Sequence, residues 1–261
     1  MTSGQRTVVV VGAGSGIGAA TAAHFHGQGD YVLAVDLRHN DTPASRHERC
    51  DLRDSRDIAA LLDRIGPGWD LLVHVAGVPG TAPAADVLTV NYLGMRLTVE
   101  GMLPLLRRGG AIVTVASVAA LGWQQRVDDL AGLLAATDAE AVARWQSGQD
   151  PVYPVYSTSK QAAIIFAKRL APMAWQKFGV RVNTVSPGPT ETPILADFEA
   201  SMGKDVLDTV KATVGRHATV DDIVPVIAFL GSPAARWVNG QDIHVDGGFV
   251  APLAAGTPLQ L

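Results

Sequence analysis

Residues 7–20, TVVVVGAGSGIGAA, decide the fold of this 261-residue chain. The run Val8 to Val11 has no polar side, so it reads as a strand covered on both faces, as strands of a parallel sheet are. Gly12, Gly14, Gly16 and Gly18 follow at once, and a helical pattern over 16–28 begins among them. Without a Cβ the backbone turns tightly and lets a ligand approach, while a helix start offers free N–H groups and the positive end of its dipole. Strand, glycine turn and helix in that order suit a pyrophosphate. A glycine pattern alone serves plain strand–helix packing just as well.

Outward from this segment, short β-branched runs alternate with longer helical patterns. Val8–Val11, Tyr31–Val35, Leu71–Val75, Ala111–Val115, Val180–Val185 and Asp242–Val245 read as strands. Helices are expected at about 16–28, 54–65, 86–107, 152–178 and 219–230. Asp54 and Thr219 sit where N-caps belong, and Gly66 and Gly231 where helices should stop. The alternation predicts one α/β domain over 1–261, a Rossmann-type doubly wound parallel sheet with ligands at the carboxyl ends of its strands. Residues 123–150 interrupt it. Leu130, Leu134, Ala141 and Trp145 share a helical face, and Thr137 and Glu140 have capping-box spacing, so two short inserted helices are expected.

Composition narrows the class of function. A 48% hydrophobic, 18% charged chain is globular. A formal charge of −4 leaves no footprint for nucleic acid. Lone Cys50 excludes an intrachain disulfide, and the histidines and Cys50 lack zinc spacing, so no metal is expected. No apolar run is long enough for a bilayer, and the N-terminal run is a strand rather than a leader. A soluble, cytoplasmic protein is the expectation.

Asp36 closes the second strand, YVLAVD, where a carboxylate accepts hydrogen bonds from adenosine ribose hydroxyls and repels a 2′-phosphate. NAD is favoured over NADP on this ground, with Arg38 as a counter-signal that can pair with such a phosphate. Asp51, in RCDLRD, is placed to meet the adenine amino group. Ala76 and Gly77 end the next strand and let the chain pass close to the cofactor.

Tyr156 and Lys160, in PVYPVYSTSK, lie one helical turn apart on one face. A tyrosine with a pKa near 10 exchanges protons poorly at neutral pH, and a nearby ammonium together with the positive nicotinamide ring favours its phenolate. Tyr156 then suits proton transfer to a carbonyl oxygen or from an alcohol. Tyr153 has Ser157 at the same offset and lacks the ammonium, so it reads as a pocket or helix-entry residue. Ser117 follows the strand AIVTVAS, where its hydroxyl can hold a substrate oxygen. Asn91, in TVNYLG, can anchor a water that relays protons from Lys160.

These pieces together resemble the short-chain dehydrogenase/reductase family from Thr7 to Gly248, through VGAGSGIG, AVD, CDL, the Ala76–Gly77 pair, VNY, Ser117, YSTSK, VNTVSPGPTETP and VDGG. The resemblance implies a catalytic quartet of Asn91, Ser117, Tyr156 and Lys160. It implies cofactor contacts by Gly12, Ser15, Gly16, Ile17, Asp36, Asp51, Leu52, Ala76, Gly77, Pro187, Gly188, Thr190 and Thr192, with Pro187 and Gly188 lining the nicotinamide and Thr192 bonding its carboxamide. Three departures stand out. Val11 replaces the family's frequent threonine, HVAG replaces Asn-Asn-Ala-Gly, and the stretch from Ser117 to Tyr156 is far longer than usual. His74 reads as a structural strand-end residue.

The insertion, the short stretch from Gly77 to Asn91 and the ending VDGGFVAPLAAG are similar to one bacterial subgroup, the 3α-hydroxysteroid dehydrogenase/carbonyl reductases with their coniferyl-alcohol dehydrogenase relatives. That likeness implies a homodimer or homotetramer in which the inserted helices obstruct the usual four-helix contact. Residues 193–217 are expected to form a flap, with Ile194, Leu195, Phe198 and Met202 closing an apolar lid. The resulting expectation is an NAD-dependent oxidoreductase interconverting an apolar, ring-bearing secondary alcohol and its ketone. The alternatives are oxidation of a primary allylic or aryl alcohol, or a non-catalytic NAD-binding sensor.

Overall fold

The computed structural model describes residues 4–39 and 41–257, without the side chains of Ser201, Met202, Val206 and Ala254. Its centre is a seven-stranded sheet in the order β3-β2-β1-β4-β5-β6-β7. The strands are β1 (Thr7–Val11), β2 (Tyr31–Asp36), β3 (Arg46–Arg49), β4 (Trp69–His74), β5 (Leu106–Val115), β6 (Arg181–Pro187) and β7 (Asp242–Val245). Every neighbouring pair is parallel. Strand order reverses between β1 and β4, which opens a crevice at their carboxyl ends.

Alternate side chains of each strand enter two separate cores. Val9, Val11, Leu72, Ile112 and Val182 pack with α2 (Ser55–Ile65), α4 (Met95–Met102) and the long α7 (Val155–Phe178). Val8, Val10, Leu71, Val73 and Val113 pack on the other face with α1 (Gly16–Gly27) and α10 (Val220–Gly231). This double cover is why the strands read as unbroken apolar runs. No helix among the described residues is long and apolar enough to cross a membrane.

Several sequence expectations needed correction. β3, Arg-His-Glu-Arg, was not foreseen, because an edge strand with one wet side can be built from charged residues. The helix expected at 86–107 is broken into α3 (Ala84–Leu88), a π-helical turn (Thr89–Gly94), α4 and a 3₁₀ turn (Leu103–Leu105), and β5 starts five residues before Ala111. Asp54 caps α2 by accepting from the Arg56 N–H, and Thr219 and Asp222 form a capping box on α10. Gly231 is still helical, and Ser232 is the residue that ends α10.

The insertion does form two short helices, α5 (Ala131–Ala135) and α6 (Ala139–Ser147). Asp138, not Thr137, caps α6, accepting from the Ala141 N–H at 2.7 Å. Leu130, Leu133 and Val142 are the fully buried members, while Leu134 is only partly covered. The Tyr92 hydroxyl donates to the Leu134 carbonyl at 3.2 Å, and Arg96 donates to the carbonyls of Leu134 and Ala136 at 2.9 Å. The insertion is therefore fastened to the helices that flank the crevice. Two further helices, α8 (Leu195–Met202) and α9 (Lys204–Val214), occupy the expected flap, and α11 (Ala251–Ala254) lies near the end of the described chain.

Candidate active site

A cavity of about 650 Å³ opens at the carboxyl ends of the strands. All the site residues named from sequence line it except Asn91. Gly12 has φ 89°, and a Cβ there would come within 2.4 Å of the Ala76 N, so β1 and β4 leave their turns in close contact. Ser15 stands at the N-cap of α1 without capping it by its side chain. The first-turn N–H groups of α1 thus have no side-chain cap from Ser15, as an anion site requires.

Asp36 is held in place by the loop it serves. Its Oδ2 accepts from the Gly14 N–H at 2.8 Å and its Oδ1 from the Arg38 N–H at 3.1 Å. Each oxygen keeps a lone pair for a hydroxyl. Asp51 is more committed than its position suggested. Arg53 donates to both of its oxygens, at 3.0 Å and 2.7 Å, and holds its carboxyl below the usual range. Arg53 also approaches Asp86 at 3.8 Å across the cavity edge. Arg53 and Asp86 were not picked out from sequence. The density of charge in CDLRD was a sign of Arg53, and nothing local marked Asp86. These glycines, the helix start and the acid together fit a nicotinamide dinucleotide.

On α7, Tyr156 and Lys160 do face the same way, with the ammonium 5.6 Å from the phenol ring centre. Tyr156 is only partly covered, lies near the Ser117 hydroxyl, which itself accepts from the Ala119 N–H at 3.1 Å, and meets Phe198 of the flap edge-on at 4.9 Å. Burial drives the phenol above its ordinary value, against the lesser pull of Ser117. That displacement belongs to the protein without the nicotinamide ring, which the sequence reading counts together with Lys160. Lys160 is itself buried and displaced downward to about 8, so its charge is the weaker influence. Its Nζ donates to the Val115 carbonyl at 2.9 Å.

Asn91 occupies the π-helical turn and lies below the cavity floor. Its Oδ1 accepts from the Val78 N–H at 2.8 Å, and its Nδ2 donates to the Val78 carbonyl at 3.0 Å and to Ser159 Oγ at 3.3 Å. The side chain ties the Ala76–Gly77 loop to α7, and its Oδ1 keeps a second lone pair. A Cβ on Gly77 would stand 3.2 Å from Asn91 Oδ1 and 3.6 Å from Lys160 Nζ, which is why the loop has a glycine there.

Beyond the glycines, Thr192 lies against Gly16, within 3.2 Å of its would-be Cβ, and donates to the Thr190 carbonyl. Thr190 in turn donates to the Gly188 carbonyl at 2.8 Å. The flap rests on the mouth, with Thr81 donating to Asp197 at 3.1 Å. Ile194 and Phe198 line the cavity and Leu195 opens α8. The side chain of Met202 lies outside the described residues. Tyr153 sits before α7, stacked on the Arg126 guanidinium at 3.6 Å, and it does not line the cavity.

The chain is similar to known proteins over most of its length. Residues 6–127 match the family model described as short chain dehydrogenase, and residues 144–250 match one described as enoyl-(acyl carrier protein) reductase. The unmatched gap falls in the insertion. A coniferyl-alcohol dehydrogenase of Pseudomonas sp. strain HR199 is 33% identical, over 95% of this chain and 97% of its own. A 3-alpha-hydroxysteroid dehydrogenase/carbonyl reductase of Comamonas testosteroni is 34% identical, over 94% and 96%. The crystal structure of the 3-alpha-hydroxysteroid dehydrogenase from Pseudomonas sp. B-0831 complexed with NADH superposes with a TM-score of 0.81 at 32% identity, over 97% of this chain and 100% of that one.

Proposed function

Because this chain belongs to the short-chain dehydrogenase/reductase family and is an oxidoreductase acting on CH–OH groups, we propose that it interconverts an uncharged, ring-bearing secondary alcohol and its ketone with NAD. The observation that carries this reading is that Tyr156, Ser117 and Lys160 line one cavity together with Val78, Ile194 and Phe198, Lys160 standing one turn behind the phenol.

The nicotinamide dinucleotide supplies or accepts the hydride when bound. The protein's part is proton transfer and positioning. In reduction, the phenol O–H of Tyr156 gives its proton to the substrate oxygen, which Ser117 holds by a second hydrogen bond. Burial keeps that phenol protonated and ready to donate. In oxidation the phenolate oxygen takes the alcohol proton. Lys160 is placed to anchor the ribose hydroxyls and to add positive charge near the phenol. Asn91 acts by holding the loop and α7 together.

The walls support this substrate class. Val78, Ala82, Val90, Ile194 and Phe198 line the cavity, Asp86 joins them, and Asp197 holds the flap at the mouth. Helix α8 has no basic residue to receive a carboxylate or phosphate. Steroid-, terpenoid- or aryl-carbinol-type alcohols fit such a lining. The likeness to a coniferyl-alcohol dehydrogenase supports a second reading, oxidation of a primary allylic or aryl alcohol. A panel of both alcohol types with NAD and NADP, followed at the absorbance of the reduced cofactor, is expected to show turnover of apolar ring alcohols. Activity confined to sugars or hydroxy acids would overturn the proposal, and no turnover of any alcohol would return the sensor reading.

Asp36 is the basis for NAD. Replacing it by serine removes the charge that opposes a 2′-phosphate while Arg38 remains beside it. Asp36→Ser is expected to raise the NADP-to-NAD ratio of kcat/KM about a hundredfold, the scale of one like-charge clash removed. Steady-state kinetics with each cofactor read this directly. For assembly, α5 and α6 cover the α4 and α7 side, which supports a dimer or tetramer that pairs through another face.

A further inference from the structure

His74 on β4 and Thr114 on β5 stand side by side in register, each 2% exposed. They follow Leu72 and Ile112 by two residues, so they lie on the sheet face that α7 covers. His74 Nε2 and Thr114 Oγ1 both lack a hydrogen-bond partner among the described residues. A buried polar atom left unbonded is costly, and two adjacent ones mark a place built for a bonding group.

What lies above the pair is Lys160. Its Nζ bonds the carbonyl of Val115, the residue after Thr114, and stands 3.6 Å from the would-be Cβ of Gly77, three residues after His74. The ammonium therefore rests over the ends of both strands. One of its three N–H bonds is spent on Val115. Few other groups face the pair. β1 presents Val11 in register with His74, β6 presents Thr184 in register with Thr114, its hydroxyl donating to Asp242 at 2.6 Å, the π-helical turn presents Asn91, with the Tyr92 hydroxyl turned to Leu134, and α7 presents Tyr156 and Lys160. Only Lys160 bears electrostatically on His74, and together with burial it keeps the imidazole neutral, near 3. The ring's other polar contact is to its own main chain, so Nε2 presents a lone pair.

We propose that His74 is a positioning residue for Lys160: with Thr114 it holds a buried water whose oxygen accepts from Lys160 Nζ. Such a water has three partners, Nε2, the threonine hydroxyl and the ammonium, which is the number buried waters typically have. It anchors the ammonium from beneath the site and favours its charged form. The inference rests on the role given to Lys160 above, and its test has a readout that needs neither cofactor nor turnover.

Burial displaces the Lys160 ammonium down to about 8, apart from ordinary lysines, and its ε-carbon can be followed by NMR in 13C-lysine-labelled full-length protein. His74→Leu is expected to lower that midpoint by about one unit, a tenfold change in the charged-to-neutral ratio. Thr114→Val should move it the same way by less, and His74→Gln, which restores an acceptor, should return it to within about a third of a unit. The alkaline limb of kcat/KM for ketone reduction should shift by the same amount in each variant. If Lys160 titrates in His74→Leu and Thr114→Val as it does in the parent, the proposal is wrong. Should His74→Leu fail to fold, the isosteric Thr114→Val decides the matter alone. Failure of the underlying mechanism would look different, with turnover indifferent to Lys160→Ala while the NMR shift persists.

Discussion

Tyr156→Phe is expected to lower kcat by about a hundredfold to ten-thousandfold, the range of a lost general acid–base group. The substitution removes one hydroxyl and keeps the ring that meets Phe198 edge-on at 4.9 Å. The helix, Lys160 and the glycine loop are untouched. Cofactor affinity should therefore change by no more than about tenfold, the worth of one hydrogen bond. Stopped-flow fluorescence for binding and single-turnover absorbance for chemistry separate the two effects. Ser117 lines the same cavity and favours the phenolate, so Ser117→Ala should also slow the reaction, by less, because Tyr156 still has its proton to give. Turnover that survives Tyr156→Phe would remove the tyrosine from the mechanism and leave Ser117 or a solvent proton in its place.

The roles of these residues were not all equally legible in sequence. β1 and the glycine turn were plain because burial on both faces leaves no polar position to confuse the pattern. The Tyr156–Lys160 pair was plain because helical spacing alone places the two on one face. β3 was hidden, since RHER has an edge to expose and no apolar face to announce. The break at Thr89–Gly94 was hidden for a different reason. No proline or glycine pair marks TVNYLG, and the turn instead accompanies hydrogen bonds from Asn91 to Val78 and Ser159, far away in sequence. The upward displacement of Tyr156 in the protein without cofactor was hidden as well, because it depends on how much protein covers the phenol. Local spacing gives an ammonium's position and says nothing of how burial weakens its charge. Register at α6 was lost by one residue, because Thr137 and Asp138 are both good caps and only the folded chain chooses between them.

Gly18→Ala is expected to be nearly as damaging as loss of the tyrosine, although residue 18 is remote from the reacting atoms. A Cβ there would fall 1.9 Å from the Gly12 carbonyl oxygen and 2.8 Å from its carbon. Both obstacles are backbone, so no side chain can turn aside. Either α1 must retreat from β1 or the Gly12–Ala13 turn must open, and that turn and helix start are where a pyrophosphate would sit. Overpacking of this kind costs about 1–3 kcal/mol or more of stability. Cofactor affinity should fall about a hundredfold or further, because the loop can no longer hold its shape. Gly27, at the far end of the same helix, is the control. Nothing lies within 4 Å of its would-be Cβ, so Gly27→Ala should stabilise α1 by about 0.5–1 kcal/mol through helix propensity and leave binding unchanged. Thermal melts and cofactor titration of the two variants distinguish contact from propensity. A Gly18→Ala protein that melts and binds like the parent would mean that α1 does not pack against the turn, and the anion site would have to be sought elsewhere.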